Sequence, residues 1–191
     1  MGSALLGTPF RVFVGLLALC AIARIVELAV SAHRARGRPG ALVPEPRVFP
    51  VMVALHVGLV LLPPLEVLTL SRPFLPPLAA GAAALLLLAT ALRVWTLRTL
   101  GRSWNVRVIE PQVVATTGPY AYIRHPNYLA VVLEIAALPL LHTAWISAAL
   151  LSLVNGFVLA RRMRVEEAVL RRLPSWRERM EPRARLIPGI Y

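Results

Sequence analysis

Five stretches of nearly unbroken apolar residues, separated by polar segments that carry arginine, set the pattern of this chain. The first runs from Pro9 to Ala32, long enough to cross a hydrocarbon core of about 30 Å. It looks superficially like a signal peptide, but no convincing cleavage site follows it and further spans do. The second covers Phe49 to Leu70 and contains Pro63-Pro64, where two missing helical donors predict a kink or a stop. The third, Phe74 to Leu97, is rich in Ala and Leu. A fourth, Pro126 to Leu141, and a fifth, Thr143 to Ala160, are joined so closely around Pro139 and His142 that they read as a helical hairpin. The pattern predicts an all-α integral membrane protein of about five transmembrane helices. It is read as a single domain over 1–191, with its chemistry in residues 98–191.

Composition agrees with that class. The 191 residues are 58% hydrophobic and only 16% charged, whereas a soluble domain carries about a quarter charged residues. Every one of the 21 basic residues is Arg and every one of the 9 acidic residues is Glu, a skew that tilts toward a GC-rich bacterial genome. The net charge of +12 would suggest nucleic acid in a soluble protein. In a membrane protein it sets Arg beside anionic lipid headgroups, so membrane lipids and no nucleic acid are the expected partners. Cys20 is a lone cysteine in an apolar helix, which leaves neither a disulfide frame nor a thiolate metal site, and inert packing is its expected role.

Arginine placement orients the chain. The loop at 33–48, the segment at 98–125 and everything from 161 hold four, four and nine of the 21 arginines. Five spans with the C-terminus in the cytoplasm place all three groups on the inner side. The membrane would be the cell membrane in a bacterium and the endoplasmic reticulum in a eukaryote. Arg24 and Glu27 lie inside the first span, three residues apart on one helical face, and are expected to pair. His56 has no second His or carboxylate at ligand spacing, so a packed or hydrogen-bonded role is expected and no metal.

The densest chemistry falls in Thr117-Gly118-Pro119-Tyr120-Ala121-Tyr122-Ile123-Arg124-His125-Pro126-Asn127-Tyr128. Gly118-Pro119 reads as a turn, and Pro126 as the first residue of the fourth helix, where its missing N–H costs nothing. Arg124 and His125 then stand at a helix entrance, whose free N–H groups favour an anion, with ring faces nearby for a planar base or a cation. Interfacial anchoring by Arg and Tyr is the simpler alternative. Beyond the fifth span, Arg161 to Arg172 should continue the helix out of the membrane until Pro174 stops it. Arg162 and Glu166, four apart on one face with Glu167 a step around, are either a surface ion pair or a clamp facing the Arg124-His125 region.

Gly-Pro-Tyr, then Arg-His-Pro-Asn-Tyr, then a hairpin and Arg-x-x-x-Glu-Glu-x-x-Leu resemble the isoprenylcysteine carboxyl methyltransferase family over about residues 98–191. The resemblance implies S-adenosyl-L-methionine held without a Rossmann domain, in a pocket formed by the cytosolic connecting loop and the C-terminal helical extension. No Gly-x-Gly-x-x-Gly follows a strand in this chain. By motif position Gln112, Val113, Val114, Ala115, Tyr120, His125, Pro126, Asn127, Tyr128 and Glu166 inherit cofactor contact. Arg162 inherits a place beside the substrate's reacting group, so Arg162 and Glu166 are the expected catalytic pair. Gln112 stands where many members have His, and Ala130 where Gly often follows the motif. The implied reaction is methyl transfer to an oxygen (carboxylate, phenol or enol) of a lipophilic or prenylated substrate, including polyketide lipids such as alkylpyrones and alkylresorcinols. Sterol-reductase-like membrane enzymes, which bind NADPH, share an Arg-His-Pro-Asn-Tyr motif and a similar tail, and phospholipid N-methyltransferases are a second alternative. A non-catalytic membrane adaptor would leave the polar clustering unexplained.

The arginine asymmetry makes a direct prediction. A reporter fused after Tyr191 should read cytoplasmic and one inserted near Arg72 should read external; cytoplasmic signals at both would overturn the five-span arrangement.

Overall fold

In a computed structural model, which describes residues 7–36, 48–106 and 114–189, the apolar stretches become helices in the expected order. They are α1 (Thr8–Arg36), α2 (Val48–Thr69), α3 (Pro76–Leu100), α4 (Pro126–Leu140) and α5 (Trp145–Leu170), followed by a short α6 (Pro174–Arg179). Single 3₁₀ turns occupy Gly101–Ser103 and Gly118–Ala121. Among the described residues α1, α2, α3 and α5 are long and apolar enough to cross a membrane. α4, at 15 residues, is shorter; its rise of about 22 Å falls short of a full hydrocarbon core. It packs between α3 and α5, and α5 also packs on α2.

Apolar side chains point both ways, as a membrane solvent allows. Phe13, Leu17, Leu59, Ile135 and Leu138 are buried where α1, α2 and α4 meet. Leu19, Ile22, Leu87, Leu88, Leu153 and Phe157 are exposed, which in lipid satisfies an apolar surface rather than penalising it.

Helix α2 does not stop at Pro63-Pro64, as local rules allowed, but runs on to Thr69. Two lost backbone donors are tolerated because the segment beyond them is anchored elsewhere. The Glu66 carboxylate accepts from the backbone N–H groups of Ile146 (3.1 Å) and Ser147 (2.7 Å), from Ser147 Oγ and from Arg72 Nε. An acidic side chain thus meets the positive end of α5, where such charge is stabilising. Beside it, the ring of His142 packs against Phe10, Phe13 and Phe74.

Three other expectations change. α5 ends at Leu170, and Pro174, instead of stopping it, takes the first turn of α6, where proline fits. Cys20 is not merely packed: its Sγ donates to Glu134 Oε1 at 2.7 Å. Arg24 does pair with Glu27, at 2.9 Å, but within a larger group. Arg93 of α3 bonds both Glu27 oxygens (3.0 and 2.8 Å) and reaches Glu134 of α4 at 3.4 Å. His56 behaves as expected, with Nδ1 at 2.8 Å from the Met52 carbonyl.

The turn ahead of α4 is fixed by one glycine. Gly118 sits at φ +59°, and a Cβ built there would lie 2.4 Å from Thr99 Oγ1 and 3.2 Å from Trp95 Nε1. Both the left-handed backbone and the close approach of α3 exclude a side chain. Gly118→Ala should lower stability by about 1–2 kcal/mol or more, read as a lower unfolding temperature in detergent; an unchanged midpoint would contradict this packing.

Candidate functional site

Three elements converge on the end of the bundle where α3 and α5 finish and α4 begins. Pro126 opens α4 as its spacing predicts, and His125 precedes it without a side-chain cap. The preceding strip is held from behind by the tail. Arg124 N donates to Ala184 O (2.9 Å) and His125 N to Arg185 O (3.0 Å), around a parallel bridge between Ile123 and Ala184. Backbone pairing of this kind fixes where Arg124 and His125 can point.

Glu167 completes the clamp. Its carboxylate is buried and accepts from Arg124 Nη1 (3.0 Å), from Arg185 Nε and Nη2 (3.0 Å each) and lies 3.1 Å from His125 Nε2. Arg171, one turn along α5, approaches to 3.5 Å. One helix face therefore fastens the motif strip and the C-terminal tail together.

The next residue back serves the cavity instead. Tyr128 Oη donates to Glu166 Oε2 (2.5 Å) and accepts from Arg162 Nε (2.8 Å). The expected Arg162–Glu166 pair is thus linked through the hydroxyl of α4. The Arg162 guanidinium is buried, stands over the Tyr128 ring at 5.7 Å, and also donates to the Val106 carbonyl and faces the Met52 thioether. Val106 is itself steadied by α1, since its N–H donates to Ser31 Oγ (3.0 Å), which in turn donates to Asn105 Oδ1 (2.7 Å). The His125 and Tyr128 rings stack with centroids 5.2 Å apart.

These groups form one end of a cavity of about 720 Å³. Val114, Ala115, Tyr120, His125, Asn127, Tyr128, Arg162 and Glu166 all line it. Pro126 is buried in the turn and is not on the wall, and Gln112 and Val113 lie outside the described residues. Desolvation, reinforced by the Glu166 carboxylate, pushes the Tyr120 phenol above its usual pKa, so it remains a neutral donor. Asn127 Oδ1 is buried with no hydrogen-bond partner among the described residues. From this polar end the cavity continues between α1 and α2 along Leu17, Ile25, Val53, Val57 and Leu61, and Ile25, Val57 and Leu61 are more than half exposed toward the lipid zone.

Residues 82–172 match the family model described as isoprenylcysteine carboxyl methyltransferase. The uncharacterized protein YpbQ of Bacillus subtilis (strain 168) is 32% identical over 161 residues, spanning 81% of this chain and 94% of that protein. The chain belongs to the isoprenylcysteine carboxyl methyltransferase family. The fold agrees with that membership. The structure of the eukaryotic intramembrane Ras methyltransferase ICMT superposes with a TM-score of 0.61 over 96% of this chain and 69% of that one, at 18% identity. Membership of this family supports a multi-pass membrane methyltransferase.

The motif resemblance named residues of which Val114, Ala115, Tyr120, His125, Asn127, Tyr128, Arg162 and Glu166 share one cavity wall, but it missed their supports. Glu167 was legible only as a neighbour of Glu166, and Arg185 lies beyond the segment matched to the family.

Glu167→Gln removes the counter-ion shared by Arg124 and Arg185, and breaking such a buried arrangement typically costs about 3–5 kcal/mol. The expected result is faster protease cleavage within 180–189 and a lower unfolding temperature. A tail as protected as in the native chain would mean that Glu167 does not hold it.

Proposed function

We propose that this protein transfers a methyl group from S-adenosyl-L-methionine to an oxygen of a lipophilic substrate. The observation that carries the reading is one cavity with a polar end built from the family motif and an apolar end that opens between two membrane helices. A water-soluble donor and a lipid acceptor are thereby offered a common space, the donor from the aqueous face and the acceptor sideways from the bilayer. The arginine distribution supports the cytosol as that aqueous face.

The residues present suit the donor. Asn127 Oδ1, without a partner among the described residues, is an acceptor for an amine or hydroxyl, and the Glu166 carboxylate suits an ammonium group or ribose hydroxyls. Tyr120, His125 and Tyr128 offer ring faces and a desolvated wall beside a cation. When bound, S-adenosyl-L-methionine supplies a methyl group already activated on a sulfonium. What the protein adds is alignment and exclusion of water, and positioning alone can supply up to about 7–11 kcal/mol.

Arg162 suits the acceptor oxygen. Its Nε is held by Tyr128 and its Nη2 by the Val106 carbonyl, so the fork is oriented before substrate arrives. Its Nη1 faces a thioether, a weak acceptor that a substrate oxygen would replace. A carboxylate acceptor needs only this counter-ion. A phenol or enol also needs a proton removed, and Glu166, already joined to Arg162 through Tyr128 Oη, is a carboxylate suited to that role.

The two charged residues should therefore fail differently. Glu166→Ala should weaken S-adenosyl-L-methionine binding about tenfold or more, while Arg162→Ala should leave that affinity largely intact and lower turnover about a hundredfold, as expected for charged hydrogen bonds. Arg162→Lys should restore little, because it loses the planar fork that Tyr128 and Val106 hold. Methyl transfer from labelled donor, with calorimetric donor affinity in nanodiscs, measures both. Near-native turnover in both alanine variants, or binding of NADPH in place of S-adenosyl-L-methionine, would overturn the proposal.

A further inference from the structure

The cavity has a second polar layer that methyl transfer does not use. Arg24 and Glu27 of α1 and Arg93 of α3 line its membrane-embedded part, with Glu134 of α4 packed behind them. Asn155 of α5, also buried, lines the same cavity. The depths agree: Glu134 lies six residues beyond Tyr128 on α4, and Asn155 seven residues before Arg162 on the antiparallel α5. The offsets correspond to about 9 and about 10.5 Å of helix rise. Between the two layers the wall is apolar, formed by Val131, Val158 and Leu159.

Holding the helices together here needs no more than one arginine. Arg93 alone meets that need, bonding both oxygens of Glu27 and reaching Glu134. Arg24 is left over. Its Nη1 stands 2.9 Å from Glu27 but without hydrogen-bond alignment, and its Nε is buried with no partner among the described residues. A buried donor with no acceptor is costly unless something supplies one. The formal charges of the two arginines and two glutamates cancel, so the acceptor that fits is neutral. An added anion would leave one uncompensated charge at membrane depth.

We infer that Arg24, with Glu27 and Arg93 beside it and Asn155 on the same cavity wall, forms a second substrate subsite that takes a neutral oxygen carried on the hydrocarbon chain. That oxygen is a carbonyl or hydroxyl about 9–10 Å from the atom that receives the methyl group. The inference rests on the proposed methyl transfer and narrows its substrate class from any lipid tail to an oxygenated one. Arg24 acts here on specificity and takes no part in the reaction.

The test uses three probes with the full-length protein in nanodiscs. They are a 5-alkylresorcinol, the same molecule with a keto oxygen about 9 Å from a ring hydroxyl, and an isomer with the keto oxygen at the chain end. The mid-chain ketone should bind about tenfold tighter than the other two, as a hydrogen bond to a charged group allows. In Arg24→Met that preference should fall below about twofold, with S-adenosyl-L-methionine affinity unchanged as the check on folding. Glu27 and Glu134 retain Arg93 in that variant. If Arg24→Met loses the donor as well, the positional series in the native protein decides alone. Equal affinity for all three probes, or an undiminished preference in a folded Arg24→Met, overturns the subsite. Preference without methylation would keep the subsite and remove the transferase reading, whereas methylation without preference would do the reverse.

Discussion

Glu167 is one carboxylate surrounded by Arg124, His125, Arg171 and Arg185, and it is almost wholly removed from solvent. Burying that charge is favourable only because its partners come from three separate parts of the chain, each bringing hydrogen bonds with its charge. The strip before α4, the last turns of α5 and the C-terminal tail are joined at this one point. With the strip fixed by Glu167 and the tail's backbone pairing, α4 starts where its first turn can present Asn127 and Tyr128 to the cavity. Without it, the adjacent Glu166 and Arg162 would keep their helix but lose the wall that Tyr128 provides. The division of labour between neighbours is strict: Glu167 holds the frame, and Glu166 faces the space within it.

The opposite end of the bundle uses the same physics with fewer partners. Glu66 meets two N–H groups at the start of α5, and Arg72 balances its charge. That anchoring lets α2 pass through Pro63-Pro64. α5 is therefore secured at both ends by carboxylates, one at its dipole's positive end and one from its own side chain near the other. A helix so fixed can keep Asn155, Leu159, Arg162 and Glu166 in register along a single cavity wall.

How much of this was legible beforehand follows from whether a contact is local. Helix order, the turn at Gly118, proline at the start of α4 and the shared face of Arg162 and Glu166 all depend on residues within a few positions of each other. Sequence spacing determines such relations, and the structure has them. The hub at Glu167 joins residues 18 and 43 positions away; the clamp reading already faced the Arg124-His125 region, but nothing in local pattern selects Arg185. The intramembrane group was half visible: Arg24 and Glu27 share a face, but Glu134 and Cys20 joined them only once α1, α3 and α4 were packed. Pro63-Pro64 misled because propensity describes an isolated helix, whereas this one is held beyond the break by Glu66.

The two polar layers also explain why charge is tolerated at depth here. An isolated arginine in hydrocarbon is expensive, and pairing it within one helix, as Arg24 with Glu27, leaves both groups facing lipid on at least one side. Spreading the group over three helices turns it inward and makes the cavity wall polar at one depth only. The apolar collar of Val131, Val158 and Leu159 then separates this layer in space from Arg162 and Glu166. An acceptor lipid entering between α1 and α2 would meet a neutral, donor-rich ring before it reached the charged end. On the proposed reading, selection of the chain and activation of the head would fall at two depths of one channel.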